Sequence, residues 1–197
     1  MVKVAILGFG VVGSGVAEVL SGNGAGIQKK ADELIEVKYI LDVRDFPDSP
    51  FAQHFVKDFS VIENDPEVNV VVETIGGVGA ALDFTERALK QGKSVVTSNK
   101  ELVATHGRRL LDLAAQNNAV YLFEASVGGG IPILRPLSEC MSANEILEIC
   151  GILNGTANYI FTRMVKDHVP FAEALAGAQA NGYAEQDPSA DVEGKDT

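Results

Sequence analysis

The sequence predicts an α/β protein built on a doubly wound parallel sheet, and three observations carry that prediction. Val2, Val4, Ile6 and Leu7 form a short apolar run that breaks into Gly8-Phe9-Gly10-Val11-Val12-Gly13. Val11, Val12, Val16, Val19 and Leu20 then recur at roughly helical spacing. Strand, glycine turn and helix in that order are the setting of a dinucleotide-binding fingerprint. Asn69 to Ile75 is a nearly continuous apolar run, as expected of a strand covered on both faces. Strand and helix patterns alternate with short turns as far as Phe123, which is the grammar of a Rossmann-type sheet.

Each element has its own justification. Gly8 turns the backbone off the first strand, Gly10 leaves room for a pyrophosphate, and Gly13 lets the helix lie close to the sheet. The unpaired N–H groups and positive dipole end of that helix then face the phosphates. Ser21 to Gly26 is expected to be a flexible break. Ile35 to Leu41 is the second strand and ends at Asp42-Val43-Arg44. An acidic residue at this strand end accepts ribose hydroxyls, which favours NAD. Arg44 matches a 2′-phosphate, which favours NADP, and a plain solvated charge pair is a third reading. Asp45 to Asp58, with Pro47 and Pro50, is expected to be loop with a short helix.

Thr74-Ile75-Gly76-Gly77 ends the next strand in small residues that let a cofactor approach. Ala80 to Lys90 is helical, with Gly92 as its C-terminal cap. Ser94 to Val96 is a strand leading into Thr97-Ser98-Asn99-Lys100. Glu101 to Ala115 is a helix with a break expected near Gly107, and Ala119 to Phe123 is a further strand. The loops at the carboxyl ends of these strands converge on one edge, where doubly wound sheets bind ligands. After Gly130 the pattern changes to a helix (Ile131 to Glu139), a strand (Ile146 to Leu153) and two helices (Asn154 to about Asp167, Phe171 to Gln179). An acidic tail follows, from Tyr183 to Thr197. Residues 1–130 are therefore expected to form a dinucleotide-binding domain and 131–197 the beginning of a second, α+β domain.

Composition sets limits on function. With 27 acidic and 16 basic residues the net charge is −11, which repels a polyanion such as nucleic acid. No apolar run approaches the roughly 20 residues of a membrane span, and no signal peptide precedes the first strand, so a cytoplasmic protein is expected. Cys140 and Cys150 are too few for a disulfide framework and are expected to be buried thiols.

Three groups of residues have chemistry to offer. Lys100, beside Ser98 and Asn99, suits an anionic ligand or a proton transfer, or is simply a solvated lysine in the first turn of a helix. The loop Glu124 to Ile131 contains three consecutive glycines, which suit either carbonyl coordination of a hard cation or a turn with positive φ. Glu185, Asp187, Asp191, Glu193 and Asp196 form either a solvated acidic run or a carboxylate set that grips an ammonium group.

The blocks GFGVVG, TSNK (Thr97 to Lys100), EASVGGGIPI, GILNGTANYI and GYAEQDPSADVEGKD occur in an order that resembles homoserine dehydrogenase, across essentially the whole chain. The resemblance implies interconversion of L-homoserine and L-aspartate 4-semialdehyde with NADP or NAD, a step of threonine, methionine and isoleucine biosynthesis. It also implies a homodimer when full-length. By resemblance, Glu185 and Asp191 bind substrate, Lys100 and Asp196 belong to the catalytic pocket, and Gly182 lines the nicotinamide. Gly8 to Gly13 (with Phe9, Val11 and Val12), Asp42, Arg44, Thr74, Ile75, Gly76 and Ser98 to Lys100 would hold the cofactor. Main-chain carbonyls of Glu124, Val127, Gly129 and Ile131 correspond to a structural sodium site. The family has a catalytic lysine beyond the aspartate matched by Asp196, so the chain is expected to be an N-terminal portion without activity alone. Two rivals are an aspartate-semialdehyde dehydrogenase, which needs a cysteine nucleophile, and a non-catalytic NAD(P)-binding sensor module.

Overall fold

The first strand is apolar from Val4 onward because it is covered on both sides there. In β1 (Val2–Leu7) the last four residues are buried. Val4 and Ile6 join one core cluster while Ala5 and Leu7 join another, as the two-residue period of a strand requires. The computed structural model describes residues 1–141, 143–184, 189, 193 and 194. The chain divides into two compact units, Met1–Glu139 and Cys140–Thr197.

In the first unit β1 is followed by α1 (Val11–Gly22), α2 (Gly24–Ala31), β2 (Ile35–Leu41) and β3 (Phe55–Val56). Then come α3 (Phe59–Glu63), β4 (Val68–Glu73), α4 (Gly79–Lys90), β5 (Ser94–Thr97), α5 (Lys100–Gln116), β6 (Tyr121–Leu122) and α6 (Leu134–Cys140). The six strands pair in the order β3-β2-β1-β4-β5-β6, every pairing parallel. The order reverses between β1 and β4, the two strands that begin the two halves and lie side by side. Ala17, with Val16 and Leu20 of α1, covers Val4, Ile6 and Ile40. On the other face Leu89 of α4 and Leu102 and Leu110 of α5 pack with Leu7, Val71 and Val95. Each such fully buried side chain contributes about 1.5–3 kcal/mol over an exposed one, which makes this three-layer unit self-supporting.

Two local expectations are corrected here. The stretch from Ser21 to Gly26 is not a flexible break: only Asn23 separates α1 from α2, and its N–H donates to the Val19 carbonyl. α5 runs unbroken through Gly107, which is buried with Leu102, Leu110 and Ala114 on the packed face. Tertiary packing of that face outweighs the roughly 1 kcal/mol that a mid-helix glycine forfeits.

In the second unit α7 (Gly155–Lys166) and α8 (Phe171–Ala180) pack through Ile160, Ala174 and Ala178. The Asn154 side chain caps α7 by accepting the Ala157 N–H at 2.7 Å. Ile146 to Leu153, expected as a strand, is not one among the described residues. A strand needs a hydrogen-bonded neighbour, and Leu147, Ile149, Ile152 and Leu153 stand exposed. Cys140, at the end of α6, and Cys150 are exposed, against the expectation of burial. No helix among the described residues is long and apolar enough to cross a membrane.

The packing of α1 on β1 yields a paired prediction. A Cβ at position 13 would lie 1.9 Å from the Gly8 carbonyl oxygen, whereas one at Gly15 meets nothing within 4 Å. Gly13→Ala should lower the unfolding free energy by about 1–3 kcal/mol, and Gly15→Ala should raise it by about 0.5–1 kcal/mol. Urea midpoints measured side by side check the opposite signs.

Candidate dinucleotide-binding edge

The carboxyl ends of β1, β2, β4 and β5 present the loops singled out from the sequence. Gly8 has φ of 90° and a Cβ there would lie 2.9 Å from the Thr74 carbonyl oxygen, so only glycine fits without strain. Gly10 is the N-cap of α1 and faces open space. With no side-chain cap on α1, its first N–H groups are left for a ligand. Val11 and Val12 stand exposed on that first turn. The Thr74 hydroxyl donates toward the Leu7 and Gly8 carbonyls at 2.9 and 3.0 Å. It thereby ties the glycine turn to β4 at the point where the strand order reverses.

The first half of the edge is built around Asp42, which is 8% exposed. Its Oδ2 accepts the Phe9 N–H at 2.7 Å and Arg44 Nη2 at 3.0 Å. Its Oδ1 accepts the Arg44 N–H at 2.9 Å and Nε at 3.1 Å. The Arg44 guanidinium is the largest cause of a depressed Asp42 pKa of about 2, helped by the two backbone N–H groups and opposed by burial. The Arg44 side chain is itself 60% exposed and lies 5.1 Å from the Phe46 ring centroid. Phe9, the first variable residue of the fingerprint, turns its ring inward against Phe46, Phe51 and Phe55.

Lys57 was not singled out from the sequence, and it holds this loop from below. Its ammonium donates to the carbonyls of Asp42, Val43 and Arg44 at 3.1, 3.2 and 2.6 Å. A lysine fifteen residues away, beyond a proline-rich loop, gives no local signal of that role.

The second half of the edge is formed by Thr74 to Gly77 and Ser98 to Lys100. Gly76 and Gly77 have φ of 82° and 65°. Asn99 caps α5 by accepting the Leu102 N–H at 3.0 Å, and its Nδ2 donates to the Gly77 carbonyl at 2.6 Å. Lys100 follows, exposed, in the first turn of α5. Ile75 is exposed as well.

The third glycine-rich loop is organised differently from the expectation. The Glu124 carboxylate accepts the N–H groups of Ile133, Leu134 and Arg135 at 2.6, 2.8 and 2.9 Å. These bonds hold its pKa below the ordinary carboxylate value. Its carbonyl accepts the N–H groups of Val127 and Gly128 at 3.2 and 3.4 Å. Among the described residues no group of three or more His, Cys, Asp or Glu side chains could hold a metal ion. In the second unit Gly182 has φ of 73° just after α8. Glu185, Asp191 and Asp196 lie outside the described residues.

Strand order, glycine cradle and converging loops define an NAD-binding domain of the Rossmann class. The sequence pattern described as "Homoserine dehydrogenase, NAD binding domain" matches residues 8–124, and that described as "Homoserine dehydrogenase" matches 132–197. The chain belongs to the homoserine dehydrogenase family, as the motifs led one to expect. It is 42% identical to the Bacillus subtilis homoserine dehydrogenase over 99% of its own length and 46% of that relative. The crystal structure of the Thiobacillus denitrificans homoserine dehydrogenase superposes with a TM-score of 0.89 at 37% identity, covering 99% of this chain and 46% of that one. A hyperthermophilic archaeal homoserine dehydrogenase in complex with NADPH gives a TM-score of 0.84 at 27% identity, covering 99% and 66%. The chain spans about half the length of the curated relatives it matches.

Asp42 makes the edge sensitive to acid in a defined direction. Its folded pKa of about 2 lies below the ordinary 3.8, so its contribution to stability is present above pH 3.8 and is lost as pH falls through about 2. Asp42→Asn should destabilise the protein at neutral pH, and the gap from the unsubstituted chain should close between those two values. Denaturant midpoints across that pH range check it.

Proposed function

We propose that this chain carries the cofactor-binding portion, and begins the substrate portion, of an NAD(P)-dependent enzyme that interconverts L-homoserine and L-aspartate 4-semialdehyde. The observation that carries the reading is a glycine edge shaped for a dinucleotide on a chain of this family. The edge fits that group on its own geometry: a Cβ would fill the cradle at Gly8 and Gly13, and the space over Gly10 is open. Bound NAD(P) supplies the hydride acceptor or donor.

The chain's residues bind, orient and move a proton. Gly8, Phe9, Gly10, Val11, Val12 and Gly13 receive the pyrophosphate, with Asp42 and Arg44 at the adenosine ribose. Thr74, Ile75, Gly76, Ser98 and Asn99 line the other nucleotide, with Gly182 against the nicotinamide. Lys100 handles the proton of the substrate hydroxyl together with Asp196, while Glu185 and Asp191 hold the substrate ammonium by charge. The cofactor domain ends near Gly130, a boundary supported by the two family patterns meeting between 124 and 132. The full-length protein works as a homodimer in the cytoplasm, in threonine, methionine and isoleucine biosynthesis. A net charge of −11 supports a small-molecule substrate over nucleic acid. Carbonyls of Glu124, Val127, Gly129 and Ile131 seat a sodium ion only by displacing an N–H from the Glu124 carbonyl, and no chemical step runs through that ion.

Within this reading the cofactor is NADP. The Asp42 carboxylate already accepts four protein donors, while Arg44 is exposed beside it. Arg44→Ala should weaken NADPH about ten- to hundredfold and leave NADH within about threefold, in fluorescence titrations of the two. Equal losses for both would return the choice to Asp42 and NAD.

Lys100→Ala in the full-length protein should cut kcat by about a hundredfold or more with homoserine and NADP, followed by reduced-nicotinamide absorbance. An unchanged kcat would remove Lys100 from the proton path. No turnover by the unsubstituted full-length protein would sink the reading itself.

A further inference from the structure

Glu73 ends β4 and is 0% exposed, although Val70, Val71 and Val72 before it show what packing alone would select. A buried carboxyl group is expensive unless hydrogen bonds repay its lost hydration. Here they run to both loops of the second half-edge. Its Oε1 accepts the N–H of Ile75 at 2.8 Å and of Gly76 at 3.4 Å. Its Oε2 accepts the Thr97 hydroxyl at 2.5 Å. That hydroxyl oxygen in turn accepts the Asn99 N–H at 2.9 Å, and Asn99 Nδ2 reaches back to the Gly77 carbonyl at 2.6 Å.

The bonds close a ring: Glu73, Thr97, Asn99, Gly77 and the backbone back to Ile75. Two of its members, Gly76 and Gly77, sit at positive φ, so the loop after β4 turns around the carboxyl group. Asn99 also caps α5, which begins at Lys100. A change at Glu73 therefore moves both loops together. Asp42 and Arg44 have their own separate bonds, and the glycine turn meets β4 through the Thr74 hydroxyl and not through the Glu73 carboxyl group.

We propose that Glu73, acting with Thr97, is a positioning residue that fixes the loops after β4 and β5 relative to each other and so shapes the nicotinamide half of the cofactor site. The proposal rests on the dinucleotide reading above. It requires that the ring matter for one half of the ligand and not for the other.

Calorimetric titration of this chain with NADPH and with 2′,5′-ADP, which carries only the adenosine half, separates the two. Glu73→Gln keeps one oxygen for the two loop N–H groups but turns an N–H toward the Thr97 hydroxyl, which loses its acceptor there. Thr97→Val removes the hydroxyl with almost no change of shape, so it reads the link even where Glu73→Gln does not fold. Both should weaken NADPH about tenfold while 2′,5′-ADP stays within about twofold, and Thr97→Ser should restore NADPH binding. Undiminished NADPH binding, or equal loss of both ligands, would overturn the proposal. Failure of the unsubstituted chain to bind NADPH, NADH or 2′,5′-ADP would overturn the dinucleotide reading, and this inference with it.

Discussion

The carboxyl edge depends on one close approach, that of α1 to the end of β1. At position 13 a Cβ would fall 1.9 Å from the Gly8 carbonyl oxygen, so the helix begins where it does only because that residue has no side chain. The approach turns the first N–H groups of α1 outward beside the end of β1. The Thr74 hydroxyl, bonded to the Leu7 and Gly8 carbonyls, then carries the same fixed point across to β4. The crevice therefore opens where the strand order reverses, with one half-edge on each side. An alanine at 13 would displace both halves together.

An acidic chain that holds an anionic ligand looks contradictory only at the level of net charge. At physiological salt the charges of a distant surface are screened over about 8 Å, so the local donors decide. At this edge they are backbone N–H groups and Arg44. Asp42 pairs with Arg44 through Nε and Nη2 and so fixes its guanidinium, whose side chain stays 60% exposed while the carboxylate is nearly covered. The Lys57 ammonium is paired with the Asp45 carboxylate at 2.7 Å and engaged by three carbonyls of the same loop. The loop is thus stitched from both ends before any cofactor arrives, which limits the ordering entropy lost on binding.

Most of the first unit was legible because its signals are local. β1, β2, β4 and the fingerprint announce themselves through apolar-rich runs bounded by glycine or charge. β3 does not: it is two residues, Phe55 and Val56, beyond a proline-rich loop, and its value lies in packing Phe55 on Phe9. Gly107 was misleading for the opposite reason, since a helix breaker by propensity serves as a small residue on a packed face. Ile146 to Leu153 has the composition of a strand, but composition does not supply a neighbour to pair with. Glu73 was invisible as a site residue because an acidic side chain at a strand end carries no mark of burial. Ile75 and Gly76 follow it directly, but Thr97 is 24 positions away and meets it only through the parallel register of β4 and β5.

That register explains how a single buried acid can govern two loops. Glu73 pairs with Thr97 as the last rung of the β4–β5 ladder, so the two side chains leave the sheet from adjacent strand ends. A valine at that rung would pack well and would leave the Ile75 N–H and the Thr97 hydroxyl without this acceptor inside the protein, a loss of about 1–3 kcal/mol for each buried group. Every bond in this ring, like every bond around Asp42, joins residues of Met1–Glu139. The bonds that shape the proposed cofactor edge therefore lie within one unit with its own core, whereas Gly182, Glu185 and Asp191, proposed for the nicotinamide and the substrate ammonium, belong to the other.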